Sequence, residues 1–575
     1  MVLRERVFKM RNPSSFNALV TGLLCAFMAT PTLAEQHKCV VAAVQPLAVD
    51  AGVQAFESGG NAVDAAIATA LTLGVVDNHN SGLGGGCFIL ICKPDGTILA
   101  IDGREMAPAA ATADMYIFDG KVDTQASMRG PLAVGVPGAL AAYDRVLKEC
   151  GKKKLADLVL PAAEIAEHGF PIDRIYARKL KDKAPELAMF PGSKAALLKK
   201  DGAPYAEGET LRQPDLARSY RKIAEYGPEW FYHGEFAETI GKWMAENGGI
   251  LTANDFANYK TVQRNPIVTT YRDWQIVGFP PPSSGGVHVA QMLNILEPFD
   301  LKQEFAEDET RGTHIVIEAM KLAFADRAFW LGDPDFAKVP RGLVAKTYGQ
   351  ELSSKIDPTK VTEVAKHGEP PEAKASVFQR HTTHIAAADT EGYWVAITAT
   401  VNTSFGSKVI VPGTGVVLNN EMDDFSSAPG VANAFGLIGD ENNAVAPGKR
   451  PLSSMSPTIV LDKQGEPALT VGAAGGPKII TQVLHALIRT LDLEQDLAAA
   501  IAGPRFHHQW RPDSVLLESA MDENVIDGLK SLGHKITTVE GSGITQAIEL
   551  DKDGTLQGVH DPRVPGKVGY GQRID

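Results

Sequence analysis

The chain contains 575 residues, of which 44% are hydrophobic, 22% are charged and 7% are aromatic. These proportions are typical of a globular protein, and the length is sufficient for several ordinary domains or for one large layered unit. The formal net charge of −13 argues against a nucleic-acid-binding protein, because such proteins carry basic surfaces.

The first 34 residues have the pattern of a secretory signal peptide. An apolar run over residues 16–29 follows several basic residues and precedes Thr32-Leu33-Ala34, a plausible cleavage site. An uncleaved membrane anchor is the alternative, but the run is shorter than the roughly 20 residues that a helix needs to span a bilayer. No later stretch is long and apolar enough to cross a membrane. We therefore expect an exported protein, periplasmic or secreted, with no membrane segment in its mature form.

Export would permit disulfides among the four cysteines that follow the signal, Cys39, Cys87, Cys92 and Cys150. Cys87 and Cys92 bound one extended apolar stretch, which places them on opposite faces and too far apart to bridge each other. Their spacing carries no metal-binding signature. We expect the four cysteines to be mainly small buried apolar side chains.

Before residue 382 the sequence predicts several helices and one apolar strand. Two helices are expected within 41–76, and the second begins at Asn61, whose side chain suits an N-cap. Glycines 84–86 precede an apolar strand, so they suit a close backbone approach better than a phosphate loop, which needs a following helix. Further helical patterns cover 135–170, 215–260 and 309–331.

The pattern changes at residue 382, after which short strands and glycine turns predominate. Strong helical patterns return only at 479–491 and around 495–502. The two parts together predict an α/β fold, with sheets inside and helices outside.

A polar segment, 355–380, ends where the first strand of this second part begins. It contains Glu369-Pro370-Pro371-Glu372, which neither a helix interior nor a central strand accommodates. Two strands joined by a turn follow, and a loop over 389–393 would place Thr382 opposite Thr400. The same register gives the two strands one shared apolar face, formed by Ile385, Ala387, Val395 and Ile397.

Thr382 is the candidate nucleophile because of its position at this junction. Cleavage of the chain before it would make its hydroxyl a nucleophile and its own α-amine the base. Thr400, directly opposite, would orient the hydroxyl, and Asn402 lies one step further along the same face. The alternative is that both threonines are ordinary β-branched strand residues.

Other segments carry groups that suit substrate binding, each with a structural alternative. The acidic turn 419–424 could hold an ammonium group or be a solvated or calcium-binding loop. The segment 449–457 presents serines between prolines, or is a plain loop. Backbone N–H groups in 472–477 could form an oxyanion hole or a tight turn. Arg104 suits bidentate carboxylate binding, or is a surface arginine.

The histidine pairs do not predict a metal site. His381 and His384 lie three apart in an extended strand, so their side chains point to opposite faces. His507 and His508 have no carboxylate at a ligand spacing. We therefore predict no metal and no cofactor.

In combination, these motifs resemble the γ-glutamyltransferase (γ-glutamyltranspeptidase) family of bacterial type. The agreement covers nearly all of the chain after the signal, in order and in spacing. The matching motifs before the polar segment cover 84–86, 104–108, 280–286 and 318–327. Those after it are Thr382-Thr-His, Thr400-x-Asn402-x-x-Phe405-Gly406, 419–425, 450–457, Gly475-Gly476 and 504–510.

The resemblance implies a fold and a maturation reaction. The family belongs to the N-terminal-nucleophile hydrolases, whose fold is a four-layer αββα sandwich. The precursor would cut itself between His381 and Thr382. A signal peptide, 1–34, would be followed by a large subunit, 35–381, and a small subunit, 382–575, which remain together as a heterodimer and form one structural unit.

The resemblance also assigns roles to the candidate residues. Thr382 would be the nucleophile, positioned by Thr400, while the N–H groups of Gly475 and Gly476 would stabilise the oxyanion. The donor would be glutathione or a related γ-glutamyl compound, whose γ-glutamyl group passes through a Thr382 ester to water or to an amino acid or peptide. The binding residues would be Arg104, Ser453 and Ser454 for the substrate carboxylate, and Asn402, Glu421 and Asp424 for its ammonium group.

Two positions depart from the usual pattern of bacterial relatives. Glu421 stands where many of them carry glutamine, although glutamate also occurs in the family, and it adds negative charge beside the substrate ammonium. Phe435 lies in a lid-like segment, 429–447, where a tyrosine hydroxyl often closes the pocket. We hypothesise that the lid is less firmly closed here, so that water competes more easily with the acceptor.

Two other functions remain as alternatives. A cephalosporin or glutaryl acylase of the same superfamily would cleave an acyl chain that lacks the α-ammonium group, and the residues expected to bind that group argue against it. An exported, non-catalytic glutamate-binding protein would have kept the pocket and lost the cleavage. A serine hydrolase is poorly supported, because the sequence contains no Gly-x-Ser-x-Gly motif.

Overall fold

The computed structural model describes residues 39–371, 382–426 and 441–572. Its strands are β1 (Cys39–Ala43), β2 (Gly86–Cys92), β3 (Ile98–Gly103), β4 (Ile117–Phe118), β5 (Lys121–Val122), β6 (Phe170–Pro171), β7 (Thr210–Leu211), β8 (Val262–Arg264), β9 (Ile267–Tyr271), β10 (Trp274–Gly278), β11 (Thr383–Asp389), β12 (Trp394–Thr400), β13 (Thr458–Leu461), β14 (Pro467–Ala474), β15 (Phe506–His507), β16 (Val515–Glu518), β17 (Ile536–Val539), β18 (Ile544–Leu550), β19 (Leu556–His560) and β20 (Lys567–Gly571).

The helices within the same ranges are α1 (Pro46–Glu57), α2 (Ala62–Val76), α3 (Thr124–Met128), α4 (Ala139–Cys150), α5 (Leu155–His168), α6 (Arg174–Leu187), α7 (Pro191–Leu197), α8 (Pro214–Tyr226), α9 (Pro228–Tyr232), α10 (Glu235–Glu246), α11 (Ala253–Asn258), α12 (Gly285–Leu296), α13 (Leu301–Glu307), α14 (Glu309–Trp330), α15 (Lys346–Ser353), α16 (Lys478–Leu491), α17 (Leu497–Ala502) and α18 (Glu523–Ser531). None of these helices is long and apolar enough to cross a membrane.

Two antiparallel sheets form the centre of the fold. The first has the strand order β20-β1-β11-β12-β2-β3-β8, and the second has the order β19-β18-β14-β13-β10-β9. They pack face to face, since β11 contacts β14 and β18 while β12 contacts β14. Between them lies an apolar layer that includes Phe88, Phe279, Ala386 and Ile459.

Helices cover the outer face of each sheet, which completes the predicted αββα arrangement. The helices α1, α2, α4 and α5 share an apolar cluster with the first sheet. The helices α12, α14 and α16 share a second cluster with the other sheet. Every residue of α2 is buried, because this helix lies between the sheet and its neighbours α1 and α5. Its start is confirmed at Asn61, whose side chain caps the helix in a reciprocal capping box with Asp64.

The predicted hairpin register is confirmed. Ala388 pairs with Trp394 at one end of β11 and β12, and Thr383 pairs with Ala399 at the other. The four residues of the predicted apolar face lie together in the cluster under the outer helices: Ile385, Ala387, Val395 and Ile397. The opposite faces of the same strands contribute Ala386, Ala388 and Trp394 to the layer between the sheets.

The prediction that 41–76 consists of two helices is wrong for its first residues, because residues 39–43 form strand β1. This strand lies between β11 and β20, and all five of its residues are buried. A central strand buried on both faces has a continuous apolar sequence without alternation, which periodicity cannot distinguish from a buried helix.

Two other expectations from sequence are confirmed. The four cysteines Cys39, Cys87, Cys92 and Cys150 are buried and form no disulfide among the described residues. The glycine run permits close backbone approach, because a Cβ atom at Gly85 would lie 1.8 Å from the carbonyl oxygen of Thr400. The run thereby brings the start of β2 against the end of β12.

Candidate active site

Thr382 lies one residue before β11, an interior strand of the first sheet. Its side chain is 4% exposed, and its hydroxyl has no hydrogen-bond partner in the described part of the chain. Extending the register of β11 and β12 by one step sets Thr382 opposite Thr400, the last residue of β12. His381, the other residue of the predicted cleavage site, lies outside the described residues, as does the predicted signal peptide.

The chain turns sharply after Thr400. Asn402 and Phe405 have φ angles of 73° and 61°, values that non-glycine residues seldom adopt. The backbone N–H of Asn402 donates to the Thr400 hydroxyl at 2.8 Å, and its side-chain amide donates to the carbonyl of Asn420 at 2.9 Å. The turn therefore directs Asn402 towards the segment 419–424, whereas a continued strand would have carried it away.

The segment 419–424 is an internal part of the protein. Residues Glu421–Asp424 form a short 3-10 helix, and all four are buried. Asn419 fixes its start, because its side-chain oxygen accepts hydrogen bonds from the N–H groups of Gly135 and Glu421 at 3.0 and 2.9 Å. A solvated loop is thus the wrong interpretation of this acidic sequence.

Arg104 is the centre of a buried charged pocket. One terminal nitrogen donates to Glu421 and the other to Asp424, while its Nε donates to the carbonyl of Pro451 at 3.0 Å. All three charged side chains are inaccessible to solvent. The two groups of residues predicted to bind opposite ends of a substrate are therefore partners of each other in this structure.

A third carboxylate, Glu105, lies in the same pocket, with Oε2 3.5 Å from Arg104. Burial raises the pKa of Glu105 to about 7, against the opposing effect of the Arg104 charge. Burial also acts to lower the pKa of Arg104, but Glu421 and Asp424 outweigh it and raise that pKa above its usual value. The pocket therefore combines a permanent cation with an excess of carboxylates, which suits a ligand that carries both an ammonium and a carboxylate group.

Ser453 is fixed by the segment 282–284, and Ser454 is fixed by a second buried arginine, Arg327. The N–H of Ser453 donates to the carbonyl of Pro282, and its carbonyl accepts from the N–H of Ser284, both at 2.7 Å. Arg327 donates to the Ser454 hydroxyl at 2.8 Å and to the Ser284 hydroxyl at 2.9 Å. Both predicted serines are completely buried, beside the carbonyls of Pro451 and Leu452 that bind Arg104.

Gly475 and Gly476 connect β14 to the first turn of α16. Their φ angles are 135° and 68°, and neither backbone N–H group donates a hydrogen bond within the described ranges. The positive end of the α16 dipole adds to the attraction that such N–H groups have for an anion. This geometry is compatible with an oxyanion hole.

His384 links β11, the strand that follows Thr382, to β14, the strand that leads to these glycines. Its ring packs so closely on Gly472 that a Cβ atom there would lie 2.3 Å from Cε1. Its Nδ1 contacts the hydroxyl of Thr398 at 3.0 Å. Because burial lowers the pKa of His384 to about 3, the ring is neutral. His384 is two residues from Thr382 on one strand face, and Gly472 is three residues before Gly475.

Sequence reasoning missed three residues of the site. Glu105 and Arg327 lie within matched family motifs, and their burial could not be recognised without the fold. Asn420 accepts hydrogen bonds from both the N–H and the hydroxyl of Thr403 at 3.0 Å, and so fixes the turn after Thr400. The signal that could have indicated Asn420 was its position within the matched motif 419–425. Residues 429–440 of the lid-like segment, which include Phe435, lie outside the described residues, so the lid hypothesis stays a prediction.

Comparison with known proteins gives consistent results. The family model described as Gamma-glutamyltranspeptidase matches residues 48–571. The chain is 43% identical over 526 residues to a glutathione hydrolase proenzyme from Escherichia coli, covering 91% of this chain and 90% of that protein. Its fold is similar to that of a cephalosporin acylase from Bacillus halodurans, with a TM-score of 0.83, 29% identity, and coverage of 93% and 96%.

A solved γ-glutamyltranspeptidase is also similar. The structure of the Helicobacter pylori protein has a TM-score of 0.56 and 39% identity, and the alignment covers 57% of this chain and 95% of that one.

Proposed function

Because this chain belongs to the γ-glutamyltranspeptidase family, we propose that Thr382 is its nucleophile and that the bond between His381 and Thr382 is cut during maturation. The chain is an enzyme with γ-glutamyltransferase and glutathione hydrolase activity that is made as a proenzyme. Its fold is that of the N-terminal-nucleophile hydrolases. The observation that carries the proposal is the buried Thr382 hydroxyl, without a partner in the described ranges and opposite Thr400.

Maturation makes the nucleophile that turnover uses. The Thr382 hydroxyl attacks the carbonyl carbon of His381, the peptide C–N bond breaks, and the acyl group moves to oxygen as an ester. Water hydrolyses this ester and leaves Thr382 with a free α-amine. An α-amine has a pKa near 7.7–8.0, so it can accept a proton close to neutral pH.

Turnover then repeats ester formation on the substrate. The Thr382 hydroxyl attacks the γ-carbonyl carbon of the donor while its proton passes to the α-amine. The N–H groups of Gly475 and Gly476 stabilise the oxyanion, an effect worth about 2.7–4 kcal/mol for one such donor. The leaving amine takes the proton, and a γ-glutamyl ester remains on Thr382. Water or an acceptor amine attacks that ester and restores the hydroxyl.

The charged pocket binds the glutamyl end of the donor. We propose that its carboxylate contacts Arg104, Ser453 and Ser454. Its ammonium group then contacts the remaining set, Asn402, Glu421 and Asp424. Arg104 already pairs with two of these carboxylates, so the donor carboxylate competes with them for Arg104 while the donor ammonium group gives them a new partner.

The product of maturation is proposed to be a heterodimer of 35–381 and 382–575, exported after removal of 1–34. The two parts cannot be separate domains, since β11 and β12 lie between β1 and β2 in one sheet. The Helicobacter pylori chain corresponds to a share of this chain close to that of the proposed large subunit. Glutathione is the expected donor, and an amino acid or peptide is the expected acceptor.

Intact-mass spectrometry of the purified protein tests the cleavage proposal. Two polypeptides should appear, with the smaller beginning at Thr382 and the larger ending at His381. A single chain that retains residues 35–575 would contradict the proposal and favour a binding protein. Cleavage at any other bond would exclude Thr382 as the N-terminal nucleophile.

A cephalosporin acylase is the second candidate function, because one similar structure carries that name. The two activities differ in the α-ammonium group of the substrate. We expect the enzyme to hydrolyse a γ-glutamyl anilide at least about 100-fold more efficiently than a glutaryl anilide, since loss of that group leaves buried carboxylates unpaired. Equal kcat/KM values for the two anilides would favour the acylase.

A further inference from the structure

Two histidines and a glutamate meet away from the candidate active site, where α14 packs against α18. His314 and Glu318 lie one turn apart on this helix, and His534 lies between α18 and β17. One ligand atom from each residue lies within 4.8 Å of the others. The exposed fractions are 0% for His314 and Glu318 and 6% for His534. From this cluster we propose that the protein binds one Zn²⁺ ion through His314, Glu318 and His534.

The hydrogen bonds of His314 orient it as a metal ligand. Its Nε2 lies 2.8 Å from the carbonyl oxygen of Asp357, so this nitrogen carries the hydrogen and donates it. In the neutral ring Nδ1 then carries the lone pair, which accepts the hydrogen of His534 Nε2, 2.7 Å away. A carbonyl that fixes the second ring nitrogen is the usual support of a metal-bound histidine.

A backbone hydrogen bond also orients the carboxylate of Glu318. Its Oε2 accepts a hydrogen bond from the N–H of Thr362 at 2.9 Å, and its Oε1 is buried. Two imidazoles and one carboxylate form a ligand set that zinc sites use, with water in the fourth position. Ligand atoms around tetrahedral zinc lie about 3.3 Å apart, so binding requires the two imidazole nitrogens to separate by only about 0.6 Å.

Binding at this site requires a change in the tautomer of His534. The hydrogen that His534 Nε2 shares with His314 moves to His534 Nδ1, and both lone pairs then face the ion. The ammonium group of Lys321 lies 2.9 Å from Glu318 Oε1, so its positive charge repels a cation bound there. Removal of this charge should therefore strengthen the binding of zinc.

The site spans the two chains that the proposed cleavage produces. His314 and Glu318 belong to the part before Thr382, and His534 belongs to the part after it. A bound ion would join the two subunits outside the two central sheets, to which both subunits contribute strands. This consequence depends on the proposed function, whereas the binding of the ion does not.

Zinc content of the full-length protein, purified with a tag that contains no histidine, tests the proposal. After equilibration with micromolar zinc and removal of free metal, we expect about one zinc per heterodimer. The variants His534→Gln and Glu318→Gln should bind at least about tenfold more weakly. The variant His168→Gln, which removes an exposed histidine, is the matched control and should bind as the parent does.

Three further measurements make the result decisive. Lys321→Gln should bind zinc more tightly than the parent, and X-ray absorption of the bound zinc should show two imidazole ligands. The uncleaved Thr382→Ala precursor should bind zinc as the parent does, which separates this proposal from the proposed function. If the ligand variants fail to fold, loss of thermal stability of the parent protein on chelation remains as the test. Less than about one tenth of an equivalent of zinc in the parent, or equal binding by His534→Gln, would overturn the proposal.

Discussion

The hairpin of β11 and β12, which begins after Thr382, and the charged pocket around Arg104 are adjacent but differ in how they are built. The hairpin places neutral groups beside Thr382: the hydroxyls of Thr398 and Thr400, and the uncharged ring of His384. The pocket contains one arginine and several carboxylates, all buried. The proposed reactive group and the proposed recognition groups are therefore separated. The hairpin depends on one strand register, and the pocket depends on segments more than 300 residues apart.

The largest effect is expected on the hairpin side. Thr382→Ala should abolish cleavage and lower kcat by at least about 10⁴-fold, because it removes the proposed nucleophile of both reactions. A denaturing gel and a γ-glutamyl anilide assay measure the two effects. Thr383→Ala is the matched control, since its side chain points to the other face of the strand, and it should still give two bands. Two bands from Thr382→Ala would contradict the proposal that Thr382 is the nucleophile of cleavage.

On the pocket side, Arg104→Met should raise KM for the donor by at least about 100-fold. The same change leaves Glu421 and Asp424 without their partner, which should lower the free energy of unfolding by about 3–5 kcal/mol. Steady-state kinetics and urea unfolding measure the two consequences. Arg104→Lys keeps the charge but not the two-pronged contact, so its effects should be smaller. An unchanged KM in Arg104→Met would contradict the assignment of the pocket to substrate binding.

A third change tests whether the hairpin and β14, the strand before Gly475 and Gly476, depend on each other. Gly472→Ala places a methyl group in contact with the His384 ring. We expect it to lower the free energy of unfolding by about 1–3 kcal/mol and to lower kcat. Adding His384→Ala should restore much of that stability, because the double variant has room for the methyl group. Gly541→Ala is the control, since a Cβ atom there meets no atom closer than 4.0 Å. Additive effects of the two substitutions would exclude the coupling.

The smallest expected effect concerns the pH dependence of the pocket. The folded protein raises the pKa of Glu105 from 4.5 to about 7 through burial, so it holds this proton more tightly than the unfolded chain does. Stability therefore falls as pH rises between these two values, and the loss is complete above the higher one. Glu105→Gln removes this loss, and its stability relative to the parent should increase with pH, by up to about 3 kcal/mol. Urea unfolding at about pH 5 and about pH 8 measures the difference. Parallel curves for the two proteins would contradict it.

Much of the hairpin and some of the helices could be predicted from sequence. The register of β11 and β12 follows from alternation, because a slip of one residue would expose Ile385 and Val395. The start of α2 follows from the capping side chain of Asn61. Strand β1 could not be recognised in the same way, because its side chains are buried on both faces and show no period.

The pocket was predicted as a set of residues without its geometry. The family motifs indicated Arg104, Glu421 and Asp424, but not that the three form one ion-paired group. Glu105 and Arg327 were missed, because a charged residue inside a motif gives no sign that it is buried. Local sequence also could not show that Asn402 leaves the strand, since its positive φ depends on contacts with Asn420.

The sequence by itself determined the family, the candidate nucleophile and its strand partner, because motif order and alternation are properties of the chain alone. Only the tertiary structure decided that Arg104 faces two carboxylates, that Arg327 supports Ser454, and that His384 packs on Gly472. Each of these contacts joins residues that are distant in sequence, and it forms only when the two sheets and their helices pack together. The free energies of burial and of ion pairing at these contacts depend on the folded structure, so a local sequence pattern does not reveal them.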